Sequence, residues 1–111
     1  MVSKVEMDFH RYVQQCAHKQ VIYTLHAFDE MNAELELITT DDVRAIIFQG
    51  NIIEEYPEDK RGHSCLMCGK TTTGRVVHVV CAPKGDYLAI ITAYVPSLEK
   101  WEADLKTRKK R

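Results

Sequence analysis

The sequence predicts a single α+β domain in which a mainly antiparallel sheet of four to five strands is backed by helices. Residues 64–95 hold three strand-like runs joined by turn residues at Thr73-Gly74 and at positions 83–86, and the second and third runs, 75–81 and 87–95, are rich in β-branched residues. The first fifty residues instead carry apolar side chains at helical spacing. A three-stranded meander can bury a face only if such helices cover it, so the two halves of the chain are expected to pack together.

Each element has its own signal. Phe9, Val13 and Cys16 repeat at helical spacing, Thr24 is a good N-cap, and Gly50 can end a helix by adopting a positive φ. Ser97 is expected to cap a last helix whose Leu98, Trp101 and Leu105 face the sheet. The predicted order is a helix over residues 4–18, a strand over 21–24, a helix over 25–36, a helix from residues 39–42 to Gly50, a strand over 51–56, the three meander strands and the last helix.

Length and charge set the outer limits. The 111 residues make one domain, 1–111, with residues 106–111 as a basic C-terminal tail. Residues 1–59 carry a charge of about −8 and residues 60–111 about +7, an asymmetry found in nucleic-acid binders and also in ordinary solvated helix ends. No apolar run can span a bilayer, and nothing near Met1 resembles a signal peptide. We therefore expect a cytoplasmic protein that does not enter a membrane.

Four ordered segments together resemble a known family. They are His26-Ala27…Glu30-Met31; Asp42-Val43…Gly50…Ile53-Glu54-Glu55-Tyr56-Pro57; Ser64-Cys65-Leu66…Gly69…Gly74…His78-Val79-Val80; and Thr92-Ala93-Tyr94…Pro96…Lys100-Trp101-Glu102…Arg108. The set resembles the small bacterial family catalogued as domain of unknown function 4258, which is itself similar to the RelE/BrnT-like toxins. That resemblance implies a RelE-like fold, an endoribonuclease acting on RNA, and a cognate antitoxin protein as partner.

Cleavage of RNA by its own 2′-hydroxyl needs a base, an acid for the leaving oxygen, and donors for the charge on phosphorus. Histidine suits the first two roles because its unperturbed pKa lies near neutrality, so His26 and His78 are the candidates. Tyr94 is the candidate donor in the transition state. This chemistry uses no metal or cofactor. The candidate phosphate-binding residues are Arg75, Arg108, Lys109 and Lys110.

A zinc site is the first alternative. Cys65, Cys68, His78 and Cys81 have the two-residue gaps of a zinc knuckle. In a regular strand, however, residues i and i+3 point to opposite faces, so His78 and Cys81 cannot reach one ion without a distortion. The spacing is therefore weak evidence for a metal.

A non-catalytic protein-binding module is the second alternative. The acidic first half offers a surface to a basic partner, and the histidine among the valines of residues 76–80 is also typical of a structural, hydrogen-bonded residue. We predict the nuclease and keep the binding module as the alternative.

Overall fold

The computed structural model describes residues 4–33 and 37–110, with side chains from residue 9 onward in those ranges. It confirms an α+β domain. The elements are α1 (Lys4–Lys19), β1 (Val21–Tyr23), α2 (Leu25–Met31), α3 (Thr40–Gln49), β2 (Asn51–Tyr56), β3 (Ser64–Lys70), β4 (Val76–Pro83) and β5 (Leu88–Tyr94). The predicted second helix ends five residues early, at Met31, and its expected last turn, residues 34–36, falls outside the described residues. No helix in the described ranges is both long and apolar enough to cross a membrane.

The five strands form one sheet in the order β1-β5-β4-β3-β2. Strands β2 to β5 are antiparallel neighbours, as the turn signals predict. Strand β1 instead runs parallel to β5, with Val21 opposite Leu88. The sheet is therefore mixed, because the first and last strands of the chain, β1 and β5, are neighbours that run in the same direction.

The two faces of the sheet are covered by different parts of the chain. Helices α1 and α3 pack on one face, here called the helix face, and bury its alternate residues. Residues 97–110, here called the strap, lie against the other face, the strap face, where they contact Cys68 and His78. The helix-face side chains of β3, β4 and β5 in the main core are Cys65, Met67, Val77, Val79, Cys81, Leu88, Ile90 and Ala93.

Helix α3 begins and ends for identifiable reasons. Thr39 and Asp42 form a capping box, each side chain accepting the other residue's backbone N–H at 3.0 Å. Gly50 ends the helix as predicted, but the reason differs from the expected positive φ, since its φ is −87°. A Cβ at Gly50 would lie 2.6 Å from the carbonyl oxygens of Cys68 and Ile46, so only glycine allows α3 to approach β3 this closely.

The predicted last helix is wrong, because the strap consists of turns. Trp101 and Arg108 form an isolated antiparallel bridge, and Leu105 between them has a φ of +59°. The Asp104 side chain accepts the backbone N–H groups of Lys106 and Thr107, which competes with helical hydrogen bonding. Trp101 is still buried, as the helical pattern required, whereas Leu98 of the same pattern is exposed. Within the predicted basic tail, the Lys109 backbone N–H donates to the Lys100 carbonyl at 2.9 Å.

Candidate functional site

A buried hydrogen-bonded chain lies beneath the strap. The alternation of β4 turns His78 to the strap face, and the sheet register puts it opposite Tyr94 of β5. The His78 Nδ1 and Tyr94 Oη atoms are 3.2 Å apart, and His78 Nε2 donates to the Leu105 carbonyl at 2.7 Å. A carbonyl oxygen can only accept, so Nε2 carries the proton in the neutral ring. Nδ1 is then an acceptor, and the Tyr94 hydroxyl donates to it.

Burial sets the protonation of this pair. His78 has no exposed surface, and burial lowers its pKa although the Leu105 hydrogen bond and the charge of Glu54 act in the opposite direction. Burial also raises the pKa of the half-buried Tyr94. At neutral pH the pair therefore consists of a neutral imidazole and a protonated phenol.

The strap is held over this pair by Trp101 and Arg108. The Trp101 ring meets His78 edge-on at a centroid distance of 4.5 Å, and the Arg108 guanidinium lies 4.6 Å above the same indole. Arg108 Nε also donates to a Glu54 carboxylate oxygen at 2.8 Å. Burial alone would raise the pKa of Glu54, but hydrogen bonds from Arg108 and Tyr56 outweigh it and lower the pKa. Burial and the Glu54 bond raise the pKa of Tyr56 to about 12.

Tyr94 opens onto a groove of about 370 Å³ between α2 and the strap, here called the Tyr94 groove. Next to it lies a cleft of about 560 Å³, the basic cleft, and Lys100 and Arg108 border both. Arg108 is paired with Glu54, whereas no carboxylate in the described ranges forms an ion pair with Lys100, Lys109 or Lys110. The Tyr94 groove is lined by Glu30, Tyr94, Val95, Ser97, Lys100, Trp101 and Arg108, and the basic cleft by Glu99, Lys100, Arg108, Lys109 and Lys110.

The structure brings some of the predicted site residues together and leaves others apart. His78 contacts Tyr94 but is sealed from solvent, so it can reach a ligand only through the tyrosine. His26 is exposed on α2, one helical turn and about 6 Å before the groove residue Glu30. It makes no hydrogen bond or ring contact with His78 or Tyr94 among the described residues.

The predicted phosphate contacts also divide into two groups. Arg108 borders both openings, and Lys109 and Lys110 line the basic cleft. Arg75 precedes β4 and contacts the start of α3 instead. Its guanidinium donates to the Leu37 carbonyl at 3.2 Å and to the Asp42 carboxylate at 3.4 Å.

The four residues of the alternative zinc site do not converge. Cys65 and Cys81 face each other on the helix face, with their sulfur atoms 3.8 Å apart. Cys68 and His78 lie on the strap face, where both donate to the Leu105 carbonyl. The regular alternation of β3 and β4 thus separates the set into two pairs. Within the described part of the chain, no three His, Cys, Asp or Glu side chains are grouped as metal ligands.

Several residues of this site were not predicted from the sequence. Ser97 is predicted only as a helix cap, and Lys100 has no predicted role in the site. Glu54 has no predicted role either, although it shares a strand face with Tyr56 two residues later. That alternation is the one signal that pointed to a polar pair on β2. The role of the Leu105 carbonyl has no sequence signature, because it depends on a positive φ at a leucine.

A family model described as Domain of unknown function (DUF4258) matches residues 23–95. No curated protein and no solved structure matches the chain. The matched region contains His78 and Tyr94 and stops before the strap.

Proposed function

The chain belongs to the DUF4258 family, and we propose that it is a metal-independent endoribonuclease of the RelE-like toxin type, which cuts RNA in the Tyr94 groove. The observation that supports this most is the chain Tyr94–His78–Leu105, whose tyrosine lines a groove bordered by Lys100 and Arg108. A hydroxyl whose proton already points to a neutral buried imidazole is suited to accept a second proton from a ligand in the groove.

The proposed reaction assigns one role to each group. Tyr94 Oη takes the proton of a ribose 2′-hydroxyl as its own proton passes to Nδ1 of His78, and the 2′-oxygen attacks the adjacent phosphorus. A 2′,3′-cyclic phosphate forms, and the 5′-oxygen leaves with a proton from His26. The imidazolium of His78 is stabilised by its bond to Leu105 and by the nearby Glu54 carboxylate.

Lys100, Lys109 and Lys110 supply the charge that RNA binding requires. Lys100 borders both the Tyr94 groove and the basic cleft, and Lys109 and Lys110 border the cleft. Each contact that they make with a phosphate weakens with added salt. Arg108 is held by Glu54 and Trp101, so its contribution is a fixed positive charge at the groove edge. We assign Arg75 no RNA contact, because Asp42 and Leu37 engage its guanidinium.

The test is cleavage of end-labelled RNA by purified protein, with a chelator present throughout. Tyr94→Phe removes the hydroxyl but keeps the ring, and the loss of general base catalysis should lower the rate by at least about 10²-fold. Tyr87→Phe is the matched control, since Tyr87 borders neither opening. Full activity of Tyr94→Phe would refute the proposed mechanism, and absence of cleavage in the wild-type protein would refute the function.

One observation favours a second candidate, a protein-binding module without catalysis. Leu25 and Phe28 lie one turn apart on α2 and are 83% and 55% exposed, a pairing that suits a protein partner. The partner would be the antitoxin of the first proposal or the only ligand in the second. Growth arrest on induced expression that is lost in Tyr94→Phe supports the nuclease. Partner binding that is lost in Phe28→Ser, with no cleavage by the wild type, supports the module.

A further inference from the structure

Besides the Tyr94 groove and the basic cleft, a further cavity lies at the turn of the strap, away from the Tyr94 groove. It has a volume of about 420 Å³ and is bordered by the end of β3, the start of β2 and the turn of the strap. We propose that this cavity, between Lys70 and Lys106, binds a phosphodiester of the same RNA strand whose cleavage site occupies the Tyr94 groove. The inference rests on the proposed function and extends it, because it makes the substrate an extended single strand that crosses the strap.

Charge is the first argument. Lys70 and Lys106 are both exposed and border the cavity from opposite elements, and neither forms an ion pair with any carboxylate in the ranges described. The one carboxylate at the cavity, Asp104, is engaged by the strap itself. One of its oxygens accepts the backbone N–H groups of Lys106 and Thr107, and the other accepts the Thr107 hydroxyl. The two ammonium groups therefore outnumber the single ionised carboxylate at the opening, and the strap already orients both oxygens of that carboxylate.

The shape of the cavity is the second argument. Part of its wall is backbone, because Gly50 and Gly69 meet where α3 approaches β3. A Cβ on Gly69 would lie 3.0 Å from the Gly50 Cα, so the packing keeps side chains out of this corner. The Asn51 side chain adds a neutral donor beside the two lysines. A compact anionic group with several acceptor oxygens fits this combination.

The position of the strap connects the two sites. Trp101 and Arg108, which pair at its base, border the Tyr94 groove, whereas Asp104 and Lys106 at its turn border the Lys70 cavity. Three to four strap residues separate base from turn, which is at most on the order of 10 Å. A short stretch of one RNA strand can therefore contact both sites. Exposed cations at Lys106, Arg108 and Lys109 mark the path between them.

The experiment compares the salt dependence of binding for two RNA lengths. A fluorescein-labelled dinucleotide fills the groove only, while a long oligouridylate also reaches the Lys70 cavity. For the long RNA, a plot of log K against log salt has a negative slope. Lys70→Gln and Lys106→Gln should each make this slope shallower by about 0.7, the value for one phosphate contact on a single strand. Dinucleotide binding should not change. Lys60→Gln, an exposed lysine that borders neither site, is the control.

The outcomes separate this inference from the function on which it rests. If Lys100→Gln weakens binding of both RNAs but the two cavity variants behave like Lys60→Gln, the second site is refuted and the groove stands. If neither Lys100→Gln nor the cavity variants affect binding, the proposed function falls with it. A titration with inorganic phosphate is followed by the amide NMR signals of Gly69 and Lys70. Shifts with phosphate but none with the long RNA would also overturn the inference.

Discussion

Removal of the Trp101 side chain is expected to release the strap. The indole is 2% exposed and contacts His78 on one side and the Arg108 guanidinium on the other. Replacement of a buried tryptophan by alanine costs about 3–5 kcal/mol in general. Loss of the strap contacts would leave the strand pairs and the helix-face core in place. We therefore expect a loss at the lower end of this range, about 3 kcal/mol.

The measurement is thermal and urea unfolding followed by far-UV circular dichroism. A loss of about 3 kcal/mol corresponds to a fall in Tm of about 12 °C for a domain near this size. Leu98→Ala is the control in the same segment, because that side chain is 60% exposed and its removal should change stability by less than about 0.5 kcal/mol. A loss below about 1 kcal/mol in Trp101→Ala would contradict the view that the indole holds the strap in place.

Three further predictions concern individual residues. Burial lowers the pKa of His78 in the folded state. The contribution of His78 to the free energy of unfolding should therefore be fully present above pH 6.5 and should decline as the pH falls below that value. If His78→Gln and the wild type show the same dependence of unfolding free energy on pH, this prediction is contradicted. Leu105→Gly should be more stable than Leu105→Ala by about 1 kcal/mol in urea unfolding, because glycine relieves the φ of +59°; equal stability would refute the strain. Gly50→Ala should lower the free energy of unfolding by about 1–3 kcal/mol, because the new Cβ would contact two carbonyl oxygens. The Cβ of Gly74→Ala meets no atom within 4 Å, so this variant should lose only about 1 kcal/mol, from its φ of +87°. If calorimetry shows the reverse order of stability, the packing argument is contradicted.

The sequence predicts the sheet better than the strap, and the reason is physical. Strand β4 is a run of β-branched residues between two turns, so its sequence favours a single type of secondary structure. The strap also has apolar residues at helical spacing, but the Asp104 carboxylate captures the amide groups that a helix would use. Periodicity correctly identified Trp101 as buried, but it failed for Leu98, which is exposed. It does not report the backbone conformation that buries a side chain.

The candidate site was predictable in part for a similar reason. Alternation along β4 gives the face of His78, but its partner is set by the register with β5 and by the bulge between Val80 and Cys81. A turn signal does not fix a register shift of this kind. The same alternation does explain why the zinc ligands fail to meet, since three residues along a strand reverse the face. The alternation of side chains within one strand was predictable from the sequence. Contacts between residues of two different elements became known only from the structure.

Trp101 is the only tryptophan in the chain, and it sits at the junction of the sheet, the strap and the groove. Its intrinsic emission therefore comes from a single known location, shielded from water when the strap is closed. Purified protein needs no attached dye for either opening or occupancy of this region to be followed in real time. A red shift would report hydration of the indole, and quenching upon addition of RNA would report a ligand beside it.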